Sequence, residues 1–290
     1  MSSTYPAPGP CTGDCWAHDL GLYQRHADGK SFRFASGDGI YIHEANSFIG
    51  PWKVTGVAFS NGSIIDHPGR TKLWISNSLA PDVHYEPESK KYYIVIGAAS
   101  SPDMTPGSWT DHGAILHSTV NSRYNAFDAN WVSAKAKSYL KFGSYWDGLF
   151  QVPMDKPVKI QHGSESTASN LAYNSTANHH IEAPFMFQHD ECHGDFVDKF
   201  GKACLESGGT TLLASHDHIY GPGGQGIFED KQFGHVLYYH YADKSIGLSP
   251  FQNQFGWNEK GLDENQDDII FIQLQAAVQK GPQRGDTQAR

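Results

Sequence analysis

The chain has 290 residues, of which 39% are hydrophobic, 13% aromatic and 18% charged. This balance excludes a disordered chain, because disordered segments are rich in charge and poor in aromatic residues. The net charge of −9 and the absence of any Lys/Arg run argue against nucleic-acid binding. No stretch of 18 apolar residues predicts a transmembrane helix. We therefore expect an uncharged substrate rather than a nucleic acid or a membrane.

Strand-like patterns recur along most of the chain. Thirty Gly and fifteen Pro supply turns between short runs rich in β-branched and aromatic residues. The runs are residues 31–36 (SFRFAS), 39–43 (GIYIH), 91–98 (KYYIVIGA), 138–145 (SYLKFGSY), 148–154 (GLFQVPM) and 235–241 (HVLYYHY). The first two predict a hairpin across a Gly-Asp-Gly turn. The pattern predicts an all-β protein.

A Gly-x-aromatic triplet recurs at residues 50–52 (GPW), 107–109 (GSW) and 194–196 (GDF). Four-stranded units of roughly 40–50 residues are typical of β-propellers. Chance recurrence of Gly-aromatic turns in a β-rich chain is the alternative. We expect one propeller domain over residues 1–262, followed by a divergent, partly disordered tail over residues 263–290.

Four cysteines, Cys11, Cys15, Cys192 and Cys204, lack the spacing of a zinc site. Two disulfides with three possible pairings, or four unrelated thiols, are both compatible with this count. The N-terminal MSSTYPAPGPC has neither the basic nor the apolar region of a signal peptide.

Three carboxylates stand out by their surroundings. Asp19 follows an aromatic stretch, Asp128 lies between amides and aromatics, and Glu182 lies between apolar residues that would raise its pKa. Paired carboxylates cleave glycosidic bonds, one as a proton donor and the other as an activator of water or a nucleophile. Taken singly, each is also compatible with a capping or turn carboxylate.

Other chemistries have less support in the sequence. His179-His180, and His216 with His218, are better explained as surface or turn histidines than as metal ligands. The Gly-rich residues 221–226 lack the Lys-Ser/Thr of a phosphate loop. No Gly-x-Ser-x-Gly elbow indicates a serine hydrolase.

Taken in order, the motifs of the chain resemble those of the endo-arabinanases of glycoside hydrolase family 43, and most closely the fungal secreted type. The matching segments are CTGDCWAHD (11–19), GPW (50–52), LAPDVHY (79–85), PGSWTDHG (106–113), YNAFDAN (124–130), FGSYWDGLFQVPM (142–154), IEAPFMF (181–187), GGTTLLASH (208–216), YGPGGQG (220–226) and VLYYHY (236–241). Collinear matches over about 250 residues are specific.

The resemblance implies a five-bladed β-propeller that cleaves internal α-1,5 bonds of linear arabinan with inversion of configuration. Carried over by motif, Asp19 is the general base, Asp128 the carboxylate that orients the acid and modulates its pKa, and Glu182 the general acid. Inversion requires a base and an acid about 6.5–9.5 Å apart.

The resemblance also implies a set of substrate-binding residues. Trp74 and Trp146 are expected to line the sugar cleft, where aromatic faces suit a furanose ring. Asn125 and Ser144 lie in matching segments and are expected at the same cleft.

Departures from the family pattern predict an incomplete propeller. Residues 75–78 interrupt the expected LWAPD motif, and strands are expected to be missing after residue 100 and after residue 189. The chain is thus either a pared-down relative or the product of an imperfect gene model. Four readings remain open: an active endo-arabinanase, an inactive carbohydrate-binding relative, a propeller used as an interaction scaffold, and an exo-acting arabinofuranosidase or xylosidase.

From the resemblance we expect no cofactor. Some relatives hold calcium near a His in a GPGH loop, but this chain has Gly224 there, so calcium is the less favoured alternative. We expect linear arabinan as the binding partner, a monomeric state, and an extracellular location, as in the family.

Overall fold

A computed structural model describes residues 5–65, 80–95, 97–134, 137–175, 179–187, 202–206, 212–246, 253–258 and 270–272. In these ranges nearly all regular structure is β-strand, and the helices are two short 3₁₀ turns, Ser164–Thr167 and Cys204–Glu206. None of the described helices has the length and apolarity needed to cross a bilayer.

The first sheet is an antiparallel meander of four strands in chain order. Its strands are β1 Leu20–Gln24, β2 Ser31–Ala35, β3 Tyr41–Ala45 and β4 Lys53–Val57. The predicted hairpin between the second and third strands is confirmed, with Phe34 paired to Ile42. Both faces of β2 are buried, because other parts of the protein pack on each side of the sheet.

The second sheet is also a four-stranded meander. Its strands are β5 Val83–Glu86, β6 Lys91–Val95, β7 Ala98–Ser101 and β8 Thr110–Gly113. The expectation of a missing strand after residue 100 is therefore wrong, because the short β7 is itself the third strand. The Gly-x-Trp triplets at 50–52 and 107–109 lead into β4 and β8, the last strands of their sheets, as the repeat predicted.

The third sheet is formed by five strands, β9 Asn130–Ala134, β10 Lys137–Phe142, β11 Leu149–Lys156, β12 Lys159–Ile160 and β13 Ser169–Ala172. The first four follow one another in order, and β13 pairs with β11. The predicted strands at 138–145 and 148–154 correspond to β10 and β11.

Two further sheets complete the described architecture. A two-stranded sheet joins β14 Phe185–Phe187 to β18 Ile270–Ile272, and a three-stranded meander is formed by β15 Ile219–Asp230, β16 Gly234–Asp243 and β17 Gln254–Asn258. β18 lies in the 263–290 segment, most of which is outside the described residues. The junctions at 75–78 and after residue 189 are outside them too.

The sheets form a ring that the N-terminal segment closes. Phe255 N donates to Cys15 O at 2.7 Å, and Gly9 N donates to Trp257 O at 2.7 Å, so residues 9–17 lie beside β17 of the last sheet. The same segment leads into β1 of the first sheet. Trp52, from the first sheet, and Phe255 belong to one buried cluster between the first and last sheets.

Apolar clusters also lie between each other pair of successive sheets. They are represented by Phe34 with Ile94, Val95 with Phe150, Leu171 with Ile181, and Phe185 with Leu237. The all-β propeller arrangement is thus confirmed. The predicted number of five blades is not confirmed. The residues that the structure describes form four blades, each of three to five strands, and a separate sheet of two strands.

One disulfide, between Cys11 and Cys15, is present in the described residues. Of the remaining two cysteines, Cys204 is buried and Cys192 lies outside the described ranges. The alternative of four unrelated thiols is therefore wrong, and the disulfide cross-links the segment that closes the ring.

Candidate active site

A cavity opens where the first strands of the sheets meet. Its lining includes residues from all five sheets, among them Asp19, Asp82, Asp128, Ala183 and Gly224. Asp19 immediately precedes β1, Asp82 immediately precedes β5, and Asp128 lies two residues before β9. The topology therefore places carboxylates from distant parts of the sequence at one end of the ring axis.

Asp19 is held by histidines on both sides. Its backbone N donates to Nδ1 of His240 at 2.9 Å, and its Oδ2 lies 3.3 Å from Nε2 of His18. The rings of His18 and His240 stack with centroids 4.7 Å apart. Burial lowers the pKa of His240 to about 4, so this ring is neutral near pH 6. The Asp19 side chain keeps 30% of its surface exposed to the cavity, as a base that must reach water requires.

Asp128 lies against the backbone that carries Glu182. Its Oδ2 accepts a hydrogen bond from Ala183 N at 3.2 Å. Burial, and then the charges of Asp19 and Glu182, raise the pKa of Asp128 well above its usual value. These effects show that the three predicted carboxylates lie close enough to interact.

Glu182 is oriented by Ser144. The Ser144 hydroxyl donates to Oε2 of Glu182 at 2.8 Å, and a β-bridge joins the two residues. The protein surrounding the Glu182 carboxyl raises its pKa, the Ser144 hydrogen bond opposes that rise, and the Asp19 charge adds to it. A carboxyl with a raised pKa stays protonated at higher pH, which suits a proton donor.

Backbone strain is concentrated around these carboxylates. Asp19, Asp128 and Ala183 have φ of 40°, 54° and 53°, and Tyr145 and Trp146, which follow Ser144, have φ of 56° and 40°. A positive φ is costly for a non-glycine residue and persists only where surrounding structure enforces it. Strain of this kind gathers at functional sites.

Comparison with known proteins was made by sequence and by structure. No family model matches the chain. A probable arabinan endo-1,5-alpha-L-arabinosidase C from Aspergillus terreus is 46% identical over 305 aligned positions, covering 89% of this chain and 93% of the relative. An arabinan endo-1,5-alpha-L-arabinosidase C from Emericella nidulans is 44% identical and covers 88% of this chain and 92% of its own length. The chain belongs to the fungal arabinan endo-1,5-alpha-L-arabinosidase family.

Solved structures agree with this family at the level of the fold. An exo-1,5-alpha-L-arabinanase from a bovine ruminal metagenomic library superposes with a TM-score of 0.71 at 18% identity, covering 90% of this chain and 99% of its own. An arabinanase from Bacillus subtilis superposes with a TM-score of 0.66 at 23% identity, covering 85% and 94%. The resemblance inferred from the sequence motifs is thereby confirmed.

Three of the substrate-binding residues expected of an arabinanase are linked to Glu182 through Ser144 rather than lining the cavity. Asn125 Nδ2 donates to Ser144 O at 3.2 Å, which fixes the loop that carries Trp146. Trp146 is 39% exposed and Tyr145 is 40% exposed, so both offer aromatic surface to a ligand. Trp74 lies outside the described residues.

In the described part of this arabinanase, the side chains of His18, Asp19 and His240 have candidate ligand atoms within 4.8 Å of one another. Calcium prefers six to eight oxygen ligands, and this set offers two imidazoles and one carboxylate. His18 Nδ1 is also engaged by Nδ2 of Asn253 at 2.8 Å. The donor set therefore fits calcium poorly.

Sequence reasoning missed several residues around the carboxylates. His18 and His240 were not singled out, although each lies in a matching motif. Gln225, whose Nε2 donates to Ala183 O at 2.7 Å, was not predicted to contact the segment that carries Glu182. His179, His180, His216 and His218 are not among the described clustered ligands.

Proposed function

We propose that this protein is an endo-acting glycoside hydrolase that cleaves internal α-1,5-arabinofuranosidic bonds of arabinan. The observation that carries this proposal is the convergence of Asp19 and Asp128 at one cavity, with Glu182 directly before the lining residue Ala183. Both Asp128 and Glu182 have raised pKa values there. The fungal relatives are named for the same activity.

The proposed reaction is a single displacement with inversion. Protonated Glu182 donates its proton to the oxygen that links two sugars, and the bond from that oxygen to the anomeric carbon breaks. Ionised Asp19 takes a proton from a water molecule, whose oxygen forms the new bond to the anomeric carbon from the opposite face. Asp19 then loses its proton to solvent, and Glu182 takes up a proton from solvent.

Asp128 acts on this reaction through position and charge. Its hydrogen bond to Ala183 N holds the backbone next to Glu182. Its interaction with both other carboxylates disfavours ionisation of all three together. One proton is therefore retained among them at mildly acidic pH, as a proton donor requires.

The substrate is a linear, uncharged polysaccharide. Exposed Tyr145 and Trp146 beside Glu182 suit the apolar faces of sugar rings. An arabinanase of the same fold, from Cellvibrio cellulosa, has been solved with arabinohexaose, with a TM-score of 0.64. The endo mode is favoured over the exo alternative by the names of the fungal relatives.

We further infer that the β14–β18 sheet takes the place of a fifth blade. Apolar clusters lie between it and the third sheet and between it and the last sheet, as they do between the other neighbouring sheets.

We also propose a monomer without a bound cofactor. An extracellular location is supported by the Cys11–Cys15 disulfide, because disulfides persist in oxidising compartments.

The test is hydrolysis of debranched linear arabinan by the purified chain. Endo action predicts a fall in viscosity that runs ahead of the release of reducing ends. Asp19→Asn should lose activity by about 1,000-fold, because an amide cannot accept the proton of water. Asp28→Asn is the control, because Asp28 is an exposed partner of Arg25. Wild-type protein that melts cooperatively but releases no reducing ends would contradict the proposal.

A further inference from the structure

We propose that Asn130, anchored by Asp82, is a positioning residue that holds Asp128 and Glu182 in their working arrangement. This inference rests on the proposed function. Neither residue was assigned a role from the sequence, and both line the same cavity as Asp19 and Asp128.

Asn130 links its own sheet to two others through the two ends of its amide. Its Nδ2 donates to Oδ2 of Asp82 at 3.0 Å, and its Oδ1 accepts from Met186 N at 3.0 Å. The side chain is buried, with 2% of its surface exposed. Asn130 begins β9, Asp82 precedes β5, and Met186 lies in β14, so one amide links the second sheet, the third sheet and the β14–β18 sheet.

The Asp82 carboxylate is held by more contacts than the one with Asn130. Its Oδ2 also accepts from Trp131 N at 3.0 Å and lies 2.5 Å from Nε2 of His84. The Asp82 charge opposes the burial that lowers the pKa of Lys141 to about 7. Lys141 pairs with Asn130 in the ladder between β9 and β10. The acceptor for Asn130 is thus a buried carboxylate whose position is set from several sides.

The Asn130 link runs parallel to the contact between the catalytic segments. Asp128 lies two residues before Asn130, and Ala183 lies three residues before Met186. The same two segments are therefore joined twice, once by Ala183 N to Asp128 and once by Met186 N to Asn130. If the hydrogen bond from Met186 N to Asn130 is lost, the segment that carries Ala183 can shift relative to Asp128. The Glu182 carboxyl then moves with that segment.

A mispositioned acid has a chemical signature. Cleavage between sugars needs protonation of a poor leaving group, whereas departure of 4-nitrophenolate does not. Misplacement by about 1 Å costs on the order of 100-fold in rate. A change at Asn130 should therefore impair arabinan cleavage far more than cleavage of an arabino-oligosaccharide that carries a 4-nitrophenyl leaving group.

The test measures kcat and KM of the full chain at pH 6.5, first with a carboxylate introduced at position 130 and then with the two side chains exchanged. Asn130→Asp places two carboxylates against each other, and we expect kcat on linear arabinan to fall about 100-fold with KM within about twofold. On the 4-nitrophenyl substrate, the fall should stay below about fivefold. The double variant Asp82→Asn/Asn130→Asp restores a donor and an acceptor between the two positions, and it should recover most of the lost kcat.

Asp111→Asn is the matched control. Asp111 lies in β8 of the second sheet and accepts from Ser63 Oγ, Ile64 N and Gly113 N at 2.7–2.8 Å. Equal losses of Asn130→Asp on both substrates, losses no larger than those of Asp111→Asn, or no recovery in the double variant would each overturn the positioning role. Wild-type protein inactive on both substrates would instead overturn the proposed function, and this inference with it.

Discussion

The backbone N–H of Ala183 donates a hydrogen bond to Oδ2 of Asp128 at 3.2 Å, and both residues have a positive φ. Each residue lies two residues before the first strand of its sheet, and the hydrogen bond joins the two strained positions. Because Ala183 follows Glu182 directly, the bond fixes the distance between two of the carboxylates. The pKa of Asp128 and the position of Glu182 are thus coupled through one contact.

Glu182→Gln should reduce arabinan hydrolysis by about 100- to 10,000-fold, the usual contribution of a general acid. The amide keeps nearly the same volume and still accepts the Ser144 hydrogen bond, but it has no proton to transfer. Binding of arabinohexaose, measured by titration calorimetry, should remain within a few-fold of wild type. Glu165→Gln, in the exposed part of the Ser164–Thr167 turn, should be unaffected. Unchanged turnover by Glu182→Gln would remove Glu182 from the acid role.

Ser144→Ala should move the basic limb of the pH profile to higher pH. The Ser144 hydrogen bond favours the ionised form of Glu182 and so lowers its pKa. Without that bond the pKa rises, Glu182 stays protonated to higher pH, and the basic limb of kcat/KM should move to higher pH. Ser166→Ala, whose hydroxyl donates to Gly163 O in an exposed turn, is the control. A limb that moves to lower pH would contradict the assigned direction.

The fold was predictable where it depends on local pattern. The 31–36 and 39–43 runs predicted the β2–β3 hairpin, because alternating apolar residues around a Gly-rich turn favour this structure. The burial of Arg33 was not predictable from the alternation of apolar and polar residues in this strand. That alternation predicts one buried face, whereas both faces of β2 are buried. The third strand of the second sheet was missed because Ala98–Ser101 consists of small residues without strand-like bulk.

The candidate site was predictable only through motifs. Asp19, Asp128 and Glu182 were identified by family resemblance. The structure places Asp19 and Asp128 in the lining of one cavity and Glu182 directly before the lining residue Ala183. His240 escaped notice because its contact with Asp19 spans 221 positions. Asp82 and Asn130 escaped notice for the same reason, since a hydrogen bond between sheets has no short-range signal.

Gly224→Ala should impair activity more than stability. Gly224 has φ of +53°, and an added Cβ would lie 3.0 Å from Oδ1 of Asp19 and 2.7 Å from Nδ1 of His240. Gly234 has φ of +69° but no atom within 4 Å of an added Cβ. Both alanine variants should lose about 1 kcal/mol of unfolding free energy from backbone strain. Gly224→Ala alone should lose kcat, on the order of 100-fold, because Asp19 must shift. Equal activity of the two variants would show that the Asp19 position tolerates the crowding.

His43→Phe should make the protein less sensitive to acid. Burial, and then the charge of Arg33, lower the pKa of His43 to about 3, and neither ring nitrogen has a hydrogen-bond partner among the described residues. The unfolded chain, with a histidine pKa of about 6.5, therefore binds more protons than the folded chain between pH 6.5 and 3, so stability falls as pH falls through this window. Wild type should lose about 2 kcal/mol from His43 alone between pH 7 and pH 5, as measured by urea unfolding. His43→Phe should remove that loss, whereas His162→Phe, at an exposed position, should keep it. An acid dependence of His43→Phe identical to wild type would mean that His43 is not held neutral in the folded state.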